Sequence, residues 1–279
     1  IAIGASAGDA LTSGGGNTLM GLDAGGAMTV ANINVAIGKN AMGSADGSES
    51  NNVAIGFGTL AALNSDASNY NVAIGYNAGT AVTSGVQNTI IGGLAGDALT
   101  TGQDNTAIGY EALSGEDTGS RNIAIGWRAL KALNYDGQGH NIGIGYEAGT
   151  IISTGRYNII VGNFAGDNLT TGSENIAIGY AALSTEDGHG KNIAIGNNAL
   201  EDLNAGADAY NIAIGHDTGR NISTGTKNVL VGGLAGDALT TGVNNVAIGH
   251  QALSAEDGHG YTVAIGTYAL SAQNAGAEA

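Results

Sequence analysis

Apolar and polar positions alternate here only in short bursts, and nearly every burst has the same form: Asn-x-(Ala/Ile/Leu)-(Ile/Val/Met)-Gly. Its glycines are Gly4, Gly21, Gly38, Gly56, Gly75, Gly92, Gly109, Gly126, Gly145, Gly162, Gly179, Gly196, Gly215, Gly232, Gly249 and Gly266. From Gly56 onward the steps read 19, 17, 17, 17, so Gly56, Gly126, Gly196 and Gly266 are equivalent points of a 70-residue super-repeat. A short fixed period along a whole chain predicts a stack of like units, not a globular domain around one site. The expected class is all-β, a parallel β-roll or β-helix solenoid of about 16 rungs of 17–19 residues each. It forms a single repeat domain over 1–279, with super-repeats at about 1–56, 57–126, 127–196 and 197–266 and a partial one at 267–279.

Within one rung, Asn105-Thr106-Ala107-Ile108-Gly109, alternation sends Thr106 and Ile108 to one face of a strand and Ala107 to the other. The larger pair, at −3 and −1 from the glycine, reads as the inside of the coil. The alanine at −2 reads as a face that another surface approaches closely. Once per super-repeat that alanine is replaced by Leu19, Ile90, Ile160 or Leu230, which would plug a wider gap or a subunit contact, with ordinary core filling the simpler account. The asparagine tolerates a left-handed turn, and its amide can bond its counterpart one rung away, forming a ladder. Asn105, Gly109, Asn175, Gly179, Asn245 and Gly249 represent this structural set, and Thr262 replaces the asparagine in the last rung.

Position +4 divides the rungs. Gly occupies it in one class (Gly79, Gly96), with an apolar residue three places on (Val82, Leu99). Leu or Met occupies it in the other (Leu113, Leu130). The order Gly, Gly, Leu, Leu repeats throughout. Leu-class rungs carry two loops expected to protrude: an acidic one, as in Glu116-Asp117 and Glu186-Asp187-Gly188-His189-Gly190, and a longer one near Asn64, Asn134 and Asn204.

Candidate chemistry is sparse. Paired carboxylates beside a glycine turn offer hard oxygen ligands, which makes Glu186, Asp187, Glu256 and Asp257 candidates for Ca²⁺. The sequence lacks the denser Asp alternation of calcium-binding loops, so a solvated acidic turn is the simpler account, and no other cofactor is expected. His189 and His259 would bind a transition metal only if brought onto one patch or repeated around an axis. Aromatic residues follow the motif glycine at Phe57, Tyr76, Tyr110, Trp127, Tyr146 and Tyr180, and precede the asparagine at Tyr70, Tyr157, Tyr210 and Tyr261. They either close the turns or hold sugar rings, with Trp127, Tyr110 and Tyr180 as the ligand-contact candidates.

Composition narrows the partners. Eight Lys+Arg against 24 Asp+Glu give a net charge of −16, which repels phosphate backbones and argues against nucleic acid. No apolar run reaches the roughly 20 residues a membrane span needs. Fifty glycines with no proline and no cysteine suit a chain that turns often, keeps its strand amides free to pair, and carries no disulfide or thiolate site. Both ends stop in mid-pattern, as expected of a segment cut from a longer fibre.

Strings such as Asn175-Ile176-Ala177-Ile178-Gly179-Tyr180-Ala181-Ala182-Leu183 and Ala235-Gly236-Asp237-Ala238-Leu239-Thr240-Thr241-Gly242 resemble the head repeats of trimeric autotransporter adhesins (YadA-like) and the repeats of phage-type tail fibres. The resemblance covers the whole chain. It implies a left-handed β-roll in each chain, three chains joined about a long axis as a homotrimeric fibre, and a role in attachment. It also implies an extracellular location, on a cell surface or a virion tail fibre, with a surface receptor, a glycan among the choices, as partner. The 17- and 19-residue rungs imply longer turns than the family's. A thin Ala/Val/Ile core would independently gain from burying one face against neighbouring chains. At about 4.8 Å per rung, 16 rungs would extend roughly 75 Å.

The expected function is therefore a non-enzymatic structural fibre with an attachment role. The alternative is a carbohydrate-binding rod using the loop aromatics and acidic turns. Two further readings fit less well. A hexapeptide-type acyltransferase needs three hexapeptides per coil, where each rung here shows one Ile-Gly-x-x-Ala-Leu match. An ice-binding solenoid needs an unbroken Thr ladder, and Thr100-Thr101, Thr170-Thr171 and Thr240-Thr241 are interrupted by the Leu-class rungs.

Overall fold

A computed structural model describes residues 1–255 and 257–272. Among these the chain is an all-β parallel solenoid with sixteen strands, one per rung, and no helix. Two compact units divide it, Ile1–His140 and Asn141–Ala279. In the first, β1 (Ala2–Ile3), β2 (Thr18–Met20), β3 (Val35–Ile37), β4 (Val53–Ile55), β5 (Val72–Ile74), β6 (Thr89–Ile91), β7 (Thr106–Ile108) and β8 (Ile123–Ile125) pair in chain order. In the second, β9 (Ile142–Ile144), β10 (Ile159–Val161), β11 (Ile176–Ile178), β12 (Ile193–Ile195), β13 (Ile212–Ile214), β14 (Val229–Val231), β15 (Val246–Ile248) and β16 (Val263–Ile265) do the same. All these pairs are parallel and in register, so each strand position forms a column of like residues, as Thr106 opposite Ile123 and Ala107 opposite Ala124 show.

The faces of the strand are the reverse of the expectation. The −2 residue points inward: Ala36, Ala54, Ala73, Ala107 and Ala124 in the first unit, and Ala177, Ala194, Ala213 and Ala247 in the second, are at most 1% exposed. The −3 and −1 residues face outward and are half-buried or exposed. The reason is width. The opposite wall of the coil already sends in the +3 alanine, the +4 leucine and the +7 residue, all buried, as Ala112, Leu113 and Leu99 show. Only a methyl group fits against them.

Leu19, Ile90, Ile160 and Leu230 fill the core where +4 is glycine. A Cβ on Gly79 would strike Ile90, Leu60 and Val82, and one on Gly96 would also touch Ile90, so the isoleucine lies between two consecutive glycines. Leu230 lies likewise between Gly219 and Gly236. The two rung classes are thus one volume divided differently between adjacent coils.

Two ladders hold the rungs. Each buried asparagine accepts the backbone N–H of its successor on Oδ1, as Asn88 donates to Asn71 at 2.9 Å and Asn175 to Asn158 at 2.9 Å. In most rungs its Nδ2 donates onward to a loop carbonyl of the next rung, as from Asn105 to Gly119 at 2.9 Å, whereas Asn52, Asn122 and Asn192 donate to Ser50, Ser120 and Gly190 of their own rungs. Thr262 continues the donating side, its N–H reaching Asn245 Oδ1 at 3.0 Å. The motif glycines form the second ladder. Gly109 has φ of 136°, and any Cβ there would collide with the carbonyl oxygen of Gly126. The left-handed turn falls on the residue before the asparagine, not on the asparagine itself: Gln87 (58°), Asp104 (58°), Arg121 (63°), Lys227 (60°). That twist aims the asparagine amide inward and leaves the preceding side chain at the surface.

Candidate functional site

The ladders leave the Leu-class loops as the places where rungs differ. Residues 66–68, 136–138 and 206–208 of the long loops are exposed, as expected of protrusions. The acidic loops are different, because their glutamates are not solvated turns. Glu49, Glu116 and Glu186 are all 0% exposed. Each stands where a Gly-class rung has hydrocarbon and accepts buried or half-buried backbone N–H groups of its own turn and of the next rung.

Glu116 accepts from Gly119 at 2.7 Å and from Tyr135, on the next rung, at 3.3 Å. Glu186 accepts from the His189 backbone at 3.1 Å and from Ala205 at 3.4 Å. His189 Nδ1 also lies 3.2 Å from the Glu186 carboxylate. Glu49 accepts from Gly47 at 3.1 Å, Ser65 at 2.9 Å and Asp66 at 3.1 Å. Ser65, Tyr135 and Ala205 are equivalent, so every carboxylate fastens the start of a long loop.

The carboxylate enters this pocket from two different chain positions. Glu116 and Glu186 lie seven residues after the motif glycine, where the first super-repeat has buried Ala45. Glu49 lies three residues before the ladder asparagine, where the later super-repeats have Gly119 and His189. A Cβ on Gly119 would run into the Glu116 carboxylate, so both positions face the same space. Asn34 and Asn105 confirm the equivalence: they donate to the carbonyls of Glu49 and Gly119 respectively. Sequence reasoning missed Glu49. The available signals were Ala at +7 and the extra residue that makes the Gly38 to Gly56 step 18.

Burial pushes the Glu116 carboxyl up to about 6, against the opposing pull of its backbone donors, and the neighbouring Asp117 charge pushes the same way. Asp97, Asp167 and Asp237 share one rung position, and burial raises each carboxyl from its ordinary value.

Two clusters bring three potential metal donors together among the described residues: Glu186 with Asp187 and His189, and Asp46 with Glu49 and Asp66. In both, the buried carboxylate is already engaged by N–H donors. Asp187 and Asp257 are exposed, their carbonyls accepting from Thr170 and Thr240. Glu256 lies outside the described residues.

The aromatic candidates lie at the surface. Tyr110 is 45% and Tyr180 53% exposed, and Trp127 is half-buried with the Arg128 guanidinium 4.1 Å from its ring centre. Arg128 and Lys131 both bind Glu111, at 2.8 and 2.6 Å, and the Lys131 contact is the main reason that carboxyl lies below its ordinary range. Phe57 and Tyr76 stack with centroids 5.5 Å apart. Tyr70, Tyr157 and Tyr210 occupy left-handed positions before the ladder and are at least 50% exposed.

Compared with family models, curated proteins and solved structures, the chain matches none. No helix among the described residues is long and apolar enough to cross a membrane.

Proposed function

We propose that this chain is a segment of a left-handed, homotrimeric, non-enzymatic attachment fibre, extracellular and carried on a cell surface or a virion tail. The observation that supports it is the outward face of the sheet. Ile123 and Ile125 in the first unit, and Ile176, Ile178, Ile193, Ile195, Ile212 and Ile214 in the second, form parallel columns of β-branched side chains left partly in water. Scattered apolar residues need no cover, but columns of this continuity favour burial against like columns. Identical chains in closed symmetry supply such columns at no cost in new sequence.

The test is native mass spectrometry or sedimentation at micromolar concentration, where a trimer is expected. Ile178→Glu should dissociate it while leaving the circular dichroism of the rungs unchanged. A wild-type chain that is a stable monomer overturns the reading.

A second reading, a glycan-binding rod, draws on the surface tyrosines that follow the motif glycine: Tyr76, Tyr110, Tyr146 and Tyr180, each at least 41% exposed. It predicts glycan-array signal that falls on Tyr110→Ala, Tyr180→Ala or Trp127→Ala. No signal on any glycan removes it without touching the fibre proposal.

A further inference from the structure

The Glu116 pocket joins one ionisable group to one protruding loop. The carboxylate bridges its own turn, through Gly119, and loop 134–139, through Tyr135. The same loop is held by Thr118 Oγ1 donating to Asp136 at 2.6 Å and by the Ser120 to Gln138 bridge. The charge acting on the pocket is acidic, Asp117 on its own turn, while the exposed Asp136 of the loop faces Thr118. The neighbouring cations are engaged elsewhere. Arg121 lies 3.7 Å from Asp104 and donates to Gln138, and Lys131 binds Glu111. Glu116 therefore carries its charge among neutral donors and like charge, at 0% exposure.

We propose that Glu116 makes loop 134–139 a pH-coupled element, held more firmly with the carboxyl protonated and opening more readily once it ionises. The sign follows from linkage. The closed, buried state holds the proton more tightly than an open, hydrated one, so acid favours closure and rising pH favours opening. With the closed-state value at about 6 and the free value at 4.5, the opening equilibrium should rise up to about 30-fold between pH 4 and pH 8. Because the loop protrudes, a partner that needs it open would bind better at neutral pH than in mild acid.

Hydrogen exchange on the full chain tests this, with rates corrected for intrinsic base catalysis. The Tyr135 and Gly119 amides should lose protection by roughly that factor across pH 4–8, while the Thr106 amide, bonded to the Asn122 carbonyl, should not. Glu116→Gln should abolish the pH dependence. A flat wild-type profile, loosening towards acid, or the same slope in Glu116→Gln overturns the proposal. Should that variant fail to fold, carboxyl ¹³C titration of the wild type decides: a Glu116 midpoint at or below 4.5 overturns it equally.

Discussion

The second Gly-class rung and the acidic rung that follows it share one frame and fill it in opposite ways. Leu99 and Glu116 occupy the same position, seven residues after Gly92 and Gly109, and both are 0% exposed. Leu99 fills volume against Gly102 with hydrocarbon alone and offers the surrounding backbone no acceptor. Glu116 fills comparable space but also supplies the acceptors that a longer, irregular loop on the next rung requires. Hydrocarbon is thus sufficient where successive turns match, and a carboxylate is used where the following turn changes length.

The broadest way to break this comparison is to remove what both rungs share. Gly92→Ala and Gly109→Ala should be about equally severe, at roughly 4 kcal/mol or more, since each forces a Cβ into the next rung's carbonyl at positive φ. Thermal melts showing one tolerated and the other not would mean that the frame is not common to both classes. Asn105→Ala strands the Asn122 N–H and the Gly119 carbonyl together, so a loss of about 2–4 kcal/mol by denaturant unfolding is expected.

The next pair separates hydrocarbon from carboxylate. Leu99→Ala should cost about 2–5 kcal/mol as a cavity. Glu116→Ala should cost about 1–3 kcal/mol by orphaning N–H groups, with lost Tyr135 protection as its signature. Moving the acid to the position it has in the first super-repeat, Glu116→Ala with Gly119→Glu, should recover most of that loss. Failure to recover would show that Glu49 and Glu116 do not serve one pocket. The smallest effect expected is from chelation. With the carboxylates of Glu49 and Glu186 engaged by N–H donors, EDTA should shift the melting midpoint by less than about 1 °C. A larger fall would identify Glu186 and Asp187 as cation ligands.

Much of the frame was legible, because the ladder residues depend on local steric and hydrogen-bonding needs that a period exposes. Asn105 and Gly109 mark such positions without reference to distant residues. The direction of each strand face was not legible. Ile108 is larger and more apolar than Ala107, and size alone assigns it to the core, yet the coil is too narrow to admit it. Nor was the burial of Glu116 legible. A Glu-Asp pair beside a turn reads as solvated until the Tyr135 amide of the next rung, 19 residues on, is known to point at it.

The seating of Ile90 between Gly79 and Gly96 also constrains inheritance. Tandem genes change length by slippage, and any multiple of the 17-residue step would keep the strand ladders in register. Loss of a single rung would nevertheless bring a bulky −2 residue against a +4 leucine, or leave two glycines facing an empty space. Gain or loss of 70 residues restores every neighbour to its own kind. Copy number in this lineage should therefore drift in whole cassettes of four rungs, with single-rung alleles purged at folding.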